Sequence, residues 1–279
     1  MLQVQNMNEL TAQIREWKFQ RKTIAFVPTM GNLHNGHLSL LKQGQTHADK
    51  LVSSIFVNPM QFGADEDLDK YPRTLQQDCK SLMEHDCDLV YLPSDQDLYP
   101  LGVSHMTAVQ VPDVTCFFEG EHRPGHLTGV STIVLKLFNL VQPDYAVFGK
   151  KDYQQLQMIR KMVYDLNLNI DIIAGDTIRE EDGLALSSRN QYLSAKERKK
   201  AITLYQELNI AADAYRADSS DFSIIKQKAI KSLTKTGFEV DYFDLCGQKT
   251  LAPLSCQSPS VIVAAAKMGQ TRLIDNIEI

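Results

Sequence analysis

Two histidines three residues apart, His34 and His37, close the run Pro28-Thr29-Met30-Gly31-Asn32-Leu33-His34-Asn35-Gly36-His37. A glycine turn that opens a helix leaves backbone N–H groups unpaired, and with the helix dipole these favour an anion. Imidazole N–H donors on the same rim suit phosphate oxygens and the charge that develops during group transfer. The run is not a G-x-G-x-x-G dinucleotide fingerprint, and His37 and Leu38 stand where a P-loop carries Lys and Ser/Thr. Two plainer readings stay open. One is a surface turn with incidental histidines; the other is a zinc pair, against which count the lack of a nearby cysteine and of a third ligand at a metal spacing.

Four further segments offer complementary groups. Ser187-Ser188-Arg189 puts two hydroxyls and a guanidinium in a polar link, suited to a mobile phosphate clamp or, more plainly, to a capped turn with a solvated arginine. Phe148-Gly149-Lys150-Lys151-Asp152-Tyr153-Gln154-Gln155 lies where a strand ends and a helix begins, and Lys151 could reach a phosphate as a point charge. In Asn58-Pro59-Met60-Gln61-Phe62-Gly63, Gln61 could hold a hydroxyl or carboxylate with direction but no charge, or the run could be a simple turn. The acidic stretch 64–69 beyond it invites a metal reading, but such runs are more often solvated loops. Arg123 and His126 could add cationic or donor groups, whereas Pro124-Gly125 speaks against a helical metal pair formed by His122 and His126.

These segments need elements to hold them. TIAFVP (23–28) reads as the first buried strand, followed by a helix from about Gly36 to Ala48 and a second strand at LVSSIFV (51–57). A helix near 74–85 leads to a strand at DLVYLP (88–93). Val130, Ile133, Val134, Leu137, Phe138 and Val141 repeat at the spacing of one helix face. YAVFG (145–149) and NIDIIAG (169–175) are strands, and the helix between them is expected to open at Asp152 in a capping box with Gln155. β-Branched runs alternating with helices imply a parallel sheet covered on both faces. After Gly175, Ser194 with Glu197 forms a capping box ahead of one long helix to about Arg216. A helix over 221–234 and strands at 240–246, 260–267 and the C-terminus complete a small α+β unit. The expected division is 1–176 and 177–279.

With 279 residues, 43% hydrophobic and 23% charged, the chain can bury a substantial core and is not disordered. The net charge is −5, made of −6 over residues 1–176 and +1 over 177–279, which disfavours nucleic acid as a partner. Placed positive and N–H donor groups in the acidic first part are the more telling for that. Cys79, Cys87, Cys116, Cys246 and Cys256 follow no metal or redox spacing and read as reduced thiols. The polar N-terminus is no signal peptide, and no apolar run is long enough for a membrane, so the cytoplasm is the expected compartment.

In order along the chain, PTMGNLHNGH, SIFVNPMQFG, YPRT, RPGH, FGKKDYQQL, LSSRNQYLS and GQTRLIDN resemble the pantothenate synthetase (pantoate–β-alanine ligase) family of the HxGH nucleotidylyl-transferase superfamily. The resemblance spans essentially the whole chain. It implies a Rossmann-like nucleotide-binding domain with a small lid, usually as a homodimer. The implied reaction condenses pantoate with β-alanine through a pantoyl adenylate, releasing AMP and pyrophosphate from ATP. By the same resemblance, His34, His37, Lys151 and Arg189 are catalytic. ATP is contacted by these four together with Met30, Gly149, Asp152, Ile178, Leu186, Ser187 and Ser188. Gln61, Gln155, Met30, Arg123 and His126 face pantoate, and Asp78 is the position associated with Mg²⁺. Lys150, where the family commonly has Glu, alters the local charge and with it the expected nucleotide affinity. The alternatives are another nucleotidylyltransferase of the superfamily and a non-catalytic nucleotide-binding module.

Overall fold

Continuous apolar runs become strands buried on both faces in a six-stranded sheet whose pairings are all parallel. The computed structural model describes residues 1–64, 66–218, 221–254 and 259–279. Asp65 of the acidic stretch and Cys256 therefore lie outside the described residues. The sheet contains β1 (Leu2–Val4), β2 (Ile24–Thr29), β3 (Lys50–Ile55), β4 (Leu89–Tyr91), β5 (Tyr145–Gly149) and β6 (Asp171–Gly175) in the order β1-β4-β3-β2-β5-β6. Its helices are α1 (Met7–Phe19), α2 (Asn35–Gln45), α3 (Leu75–Glu84), the short α4 (Asp95–Leu98) and α5 (Glu119–His122), α6 (His126–Val141) and α7 (Tyr153–Asp165). A second, antiparallel sheet of β7 (Phe238–Gly247), β8 (Ser260–Met268) and β9 (Thr271–Glu278) carries α8 (Ala195–Ala201), α9 (Thr203–Ala217) and α10 (Phe222–Thr236). The α/β architecture expected from the sequence is the one observed.

Four elements differ from expectation. The first strand is β1, not the run at residue 24; its three residues bury only Val4, too little alternation to register as a pattern. The helix built on the 130–141 stripe starts earlier, at His126, because left-handed Gly125 ends the preceding turn there. The stripe itself is buried as expected. No capping box forms at Asp152: a 3₁₀ turn over Lys150–Asp152 precedes α7, and the Asp152 side chain makes no cap hydrogen bond. Finally, the helix after Ser194 does begin with the expected capping box, but it breaks at Ile202 into α8 and α9.

Parallel strands all end on the same side, so the C-terminal ends of β2 and β5 open onto one crevice beside the point where the strand order reverses. The small sheet closes over that crevice through β9 and the end of β8. The apolar core continues across the junction: Cys246, Val261 and Val263 of the small sheet, and Leu251 between its strands, belong to the same buried cluster as Leu127 of α6, Tyr153 of α7 and Phe148 of β5.

Candidate active site

The crevice is a cavity of about 910 Å³ lined by Met30, His34, His37, Gln61, Arg123, His126, Gly149, Lys151, Asp152, Gln155, Ile178 and Leu186–Arg189. Every site residue expected from the sequence lines it except Asp78.

The histidine turn owes its shape to two left-handed residues, Gly31 and Asn32, between β2 and α2. Asp78, on α3, holds that shape from below. Its two carboxylate oxygens accept from the backbone N–H of Asn32 (2.9 Å) and Leu33 (2.8 Å), and Thr74 Oγ1 donates at 3.1 Å. Asp78 is buried and outside the cavity. In that position Asp78 anchors the turn. Among the described residues there is no group of three or more His, Cys, Asp or Glu that could hold a metal.

His34 is the N-cap of α2. Its Nδ1 accepts from the backbone N–H of Gly36 (3.1 Å), while the backbone N–H of His34 donates to His37 Nδ1 (3.3 Å). Glycine is required at 36 because a Cβ there would stand 2.9 Å from the His34 ring. A ring nitrogen that accepts carries no proton, so both neutral imidazoles hold theirs on Nε2. Burial, and then the Lys151 charge, lowers His34 to about 4; burial, His34 and Lys151 lower His37 to about 3. Near neutral pH the pair therefore consists of two uncharged N–H donors, with rings 4.1 Å apart.

Gln61 sits in a 3₁₀ turn after β3; its Nε2 contacts Met30 Sδ at 3.1 Å, and its Oε1 accepts from Asn58 Nδ2 at 3.1 Å. Gln155 lines the same wall on α7. Its sequence neighbour Gln154 faces inward instead, donating to the carbonyls of Val114 (2.7 Å) and Phe117 (2.8 Å). His126 donates from Nδ1 to the Gln61 carbonyl at 2.8 Å, and burial followed by Arg123 lowers it to about 4. Its tautomer is thus opposite to that of the helix-capping pair. Lys150 lies off the cavity, paired to Asp176 (3.2 Å) and Glu278 (3.1 Å). The altered charge at this position is therefore answered by two carboxylates, Glu278 on β9 and Asp176 on the cavity wall.

The acidic stretch is not a solvated loop. Glu66 takes Arg123 in two 2.6 Å contacts, and Asp67 takes Arg189 at 3.0 and 2.7 Å. Burial alone would raise Glu66 and Asp67, but the arginines outweigh it and hold both carboxyls below their usual range. Glu119 carries no sequence signal, and Arg272, though inside GQTRLIDN, has no role assigned by the sequence. Buried Glu119 pairs with Arg272 (2.7 Å) and Arg123 (3.4 Å) and accepts from the Tyr242 hydroxyl (2.8 Å). Arg272 also binds Asp241 at 2.6 Å. The partners that join these segments lie 31 to 153 residues apart, so no spacing could have disclosed them.

A parallel sheet with paired imidazoles at the helix N-terminus after its first central strand, and a lysine where the adjacent strand ends, defines the nucleotidyl-transfer class of α/β enzymes. Over residues 2–278 the chain matches the profile of the Pantoate-beta-alanine ligase family, and it belongs to that family. It is 49% identical to the pantothenate synthetase of Colwellia psychrerythraea, over 100% of this chain and 99% of that one. It is 50% identical to that of Aeromonas hydrophila, over 99% and 97%. The crystal structure of pantothenate synthetase from Thermus thermophilus superposes with a TM-score of 0.92 at 42% identity, covering 100% and 99% of the two chains. A pantoate-beta-alanine ligase from Francisella tularensis, solved with beta-gamma ATP and beta-alanine, superposes at 0.83 with 35% identity, covering 100% and 97%.

Proposed function

We infer that the chain condenses pantoate with β-alanine in an ATP-dependent reaction. The pantoate carboxylate attacks the α-phosphorus, a P–O bond forms and pyrophosphate leaves. The β-alanine nitrogen then attacks the carbonyl of the pantoyl adenylate, the C–O bond to AMP breaks, and the nitrogen gives up a proton as the amide forms. No step calls for a nucleophile from the protein. Its work is alignment and charge stabilisation.

The observation that carries this reading is the convergence of two kinds of group on one cavity. His34 and His37 point uncharged N–H donors from a helix N-terminus, joined by Lys151, Ser187, Ser188 and Arg189, which suits the triphosphate. Gln61 and Gln155 offer neutral, directional groups, which suit a hydroxy acid whose carboxylate must stay nucleophilic. Met30 lines the same wall, with Arg123 and His126 at that end and Gly149, Asp152, Ile178 and Leu186 around the nucleotide. Mg²⁺ would arrive with the nucleotide, held largely by its phosphates, with Asp78 below the histidine turn the protein position the family associates with it.

Residues 1–176 form the nucleotide- and pantoate-binding domain in this reading, and 177–279 the lid. The free thiols of Cys79, Cys87, Cys116 and Cys246 suit a reducing cytoplasm. A homodimer follows from the family's habit, which light scattering on the purified chain would check. The function itself is tested by pyrophosphate–ATP exchange with and without pantoate, followed by addition of β-alanine. Pantoate-dependent exchange and AMP release on adding β-alanine are expected. Exchange that ignores pantoate would point to another nucleotidylyltransferase, and no exchange at all to a non-catalytic module.

A further inference from the structure

Gln61 can face a ligand with either its N–H or its C=O, and which one it shows decides what it can recognise. Backbone groups, whose polarity cannot invert, settle the matter through Asn58. Asn58 is buried, and its Nδ2 donates to the Gly129 carbonyl at 3.1 Å while its Oδ1 accepts from the Met60 N–H at 3.3 Å. With that orientation fixed, the second proton on Nδ2 goes to Gln61 Oε1 (3.1 Å) and the second lone pair of Oδ1 takes the Tyr99 hydroxyl (2.6 Å). Asn58 is then saturated, and with its Oε1 held by Asn58 Gln61 turns Nε2 the other way, onto the weak acceptor Met30 Sδ.

Tyr99 lies outside the cavity, buried with its ring against Phe56 and under the Lys136 ammonium. Burial raises its pKa, so the hydroxyl remains a donor throughout the working range. We propose that Tyr99 is a positioning residue for the acid substrate: by donating to Asn58 Oδ1 it steadies the amide, oriented by the backbone, that holds Gln61 with an N–H, and not a carbonyl, toward pantoate. This rests on the function proposed above. It assigns to a residue that touches no substrate a share in choosing which acid binds, namely one presenting an acceptor oxygen at that point.

Tyr99→Phe removes the hydroxyl and keeps the ring. Losing one neutral hydrogen bond should raise KM for pantoate between about twofold and tenfold, with kcat and the KM for ATP nearly unchanged. A general structural role would spread the loss over both substrates. The decisive reading is a double-mutant cycle with Gln61→Ala: if Tyr99 acts through Gln61, adding Tyr99→Phe to Gln61→Ala changes KM for pantoate no further. An unchanged KM in Tyr99→Phe, or full additivity with Gln61→Ala, would overturn the proposal while leaving the wild type's pantoate-dependent exchange intact. Wild-type exchange that ignores pantoate would overturn both.

Discussion

At the scale of single residues, the site works by withholding charge. His34 and His37 are neutral near pH 7 because burial and Lys151 oppose their protonation, and each donates from Nε2 because a backbone N–H occupies Nδ1. A donor aimed at charge that appears only in the transition state acts on kcat. His37→Ala should therefore lower kcat by roughly 10²–10³-fold with a smaller effect on ATP binding, which steady-state kinetics would show; a changed KM alone would make the ring structural. The same depressed values have a cost in acid. The unfolded chain binds protons at these sites below the ordinary value of 6.5, whereas folded His34 and His126 wait until about 4 and His37 until about 3. The unfolded state thus holds more protons across that interval, and stability falls as pH falls through it. The carboxyls of Glu66 and Asp67 titrate lower, so their contribution is lost only below ordinary values of 4.5 and 3.8. The urea midpoint should accordingly drop as pH falls from the ordinary histidine value of 6.5 toward the folded value of about 4, and drop less in His126→Asn, which keeps a donor for the Gln61 carbonyl but cannot titrate. An identical slope in the two proteins would refute this. The histidines were legible in the sequence because their spacing is local. Glu66 and Asp67 were not, because a carboxylate run looks the same whether water or a distant arginine answers it.

At the scale of elements, what places the substrate groups is the approach of α6 to the turn after β3. Gly129 makes that approach possible: a Cβ there would fall 2.3 Å from the Met60 carbonyl oxygen, a backbone atom that cannot swing aside. The contact brings the Gly129 carbonyl to Asn58 and the His126 ring to the Gln61 carbonyl. Gly129→Ala must push helix and turn apart, at a cost of about 1–3 kcal/mol for overpacking, and should raise KM for pantoate more than KM for ATP. Urea unfolding and substrate titrations would check the two effects. If neither moved, the helix would be shown to yield at no cost to the site. The stripe of α6 was readable in advance because its six apolar positions share one face, but the glycine's role was not, since only the packed turn reveals what a methyl group would strike. The Ile202 break was hidden for a related reason: it is a one-residue interruption whose backbone stays near helical dihedrals (φ −60°, ψ −23°), with no glycine or proline to mark it.

At the scale of the whole molecule, two sheets of different topology share one core. The large sheet is parallel and the small one antiparallel, as the change in sequence character implies. Yet Cys246, Leu251, Val261 and Val263 pack into the large domain's cluster, and Phe118 meets Tyr242 with ring centroids 5.0 Å apart. Buried Glu119 adds an ionic tie to Arg272 and through it to Asp241 across the same junction. Such a junction opposes swinging the small sheet away, and Arg189 of the 187–189 link adds a further tie, to Asp67. It also makes the two halves depend on one another for stability. Trp17 is the only tryptophan and is buried in the large domain, so its fluorescence reports that half alone, while far-UV circular dichroism reports both. The two urea transitions should coincide, because unfolding the small sheet would strip apolar cover from the large one. Removing one partner of the buried tie, as in Arg272→Met, leaves Glu119 without its main counter-charge and should cost about 3–5 kcal/mol. Both probes should then shift together. A circular-dichroism transition that precedes the Trp17 transition in the wild type would show that residues 177–279 fold as an independent lid.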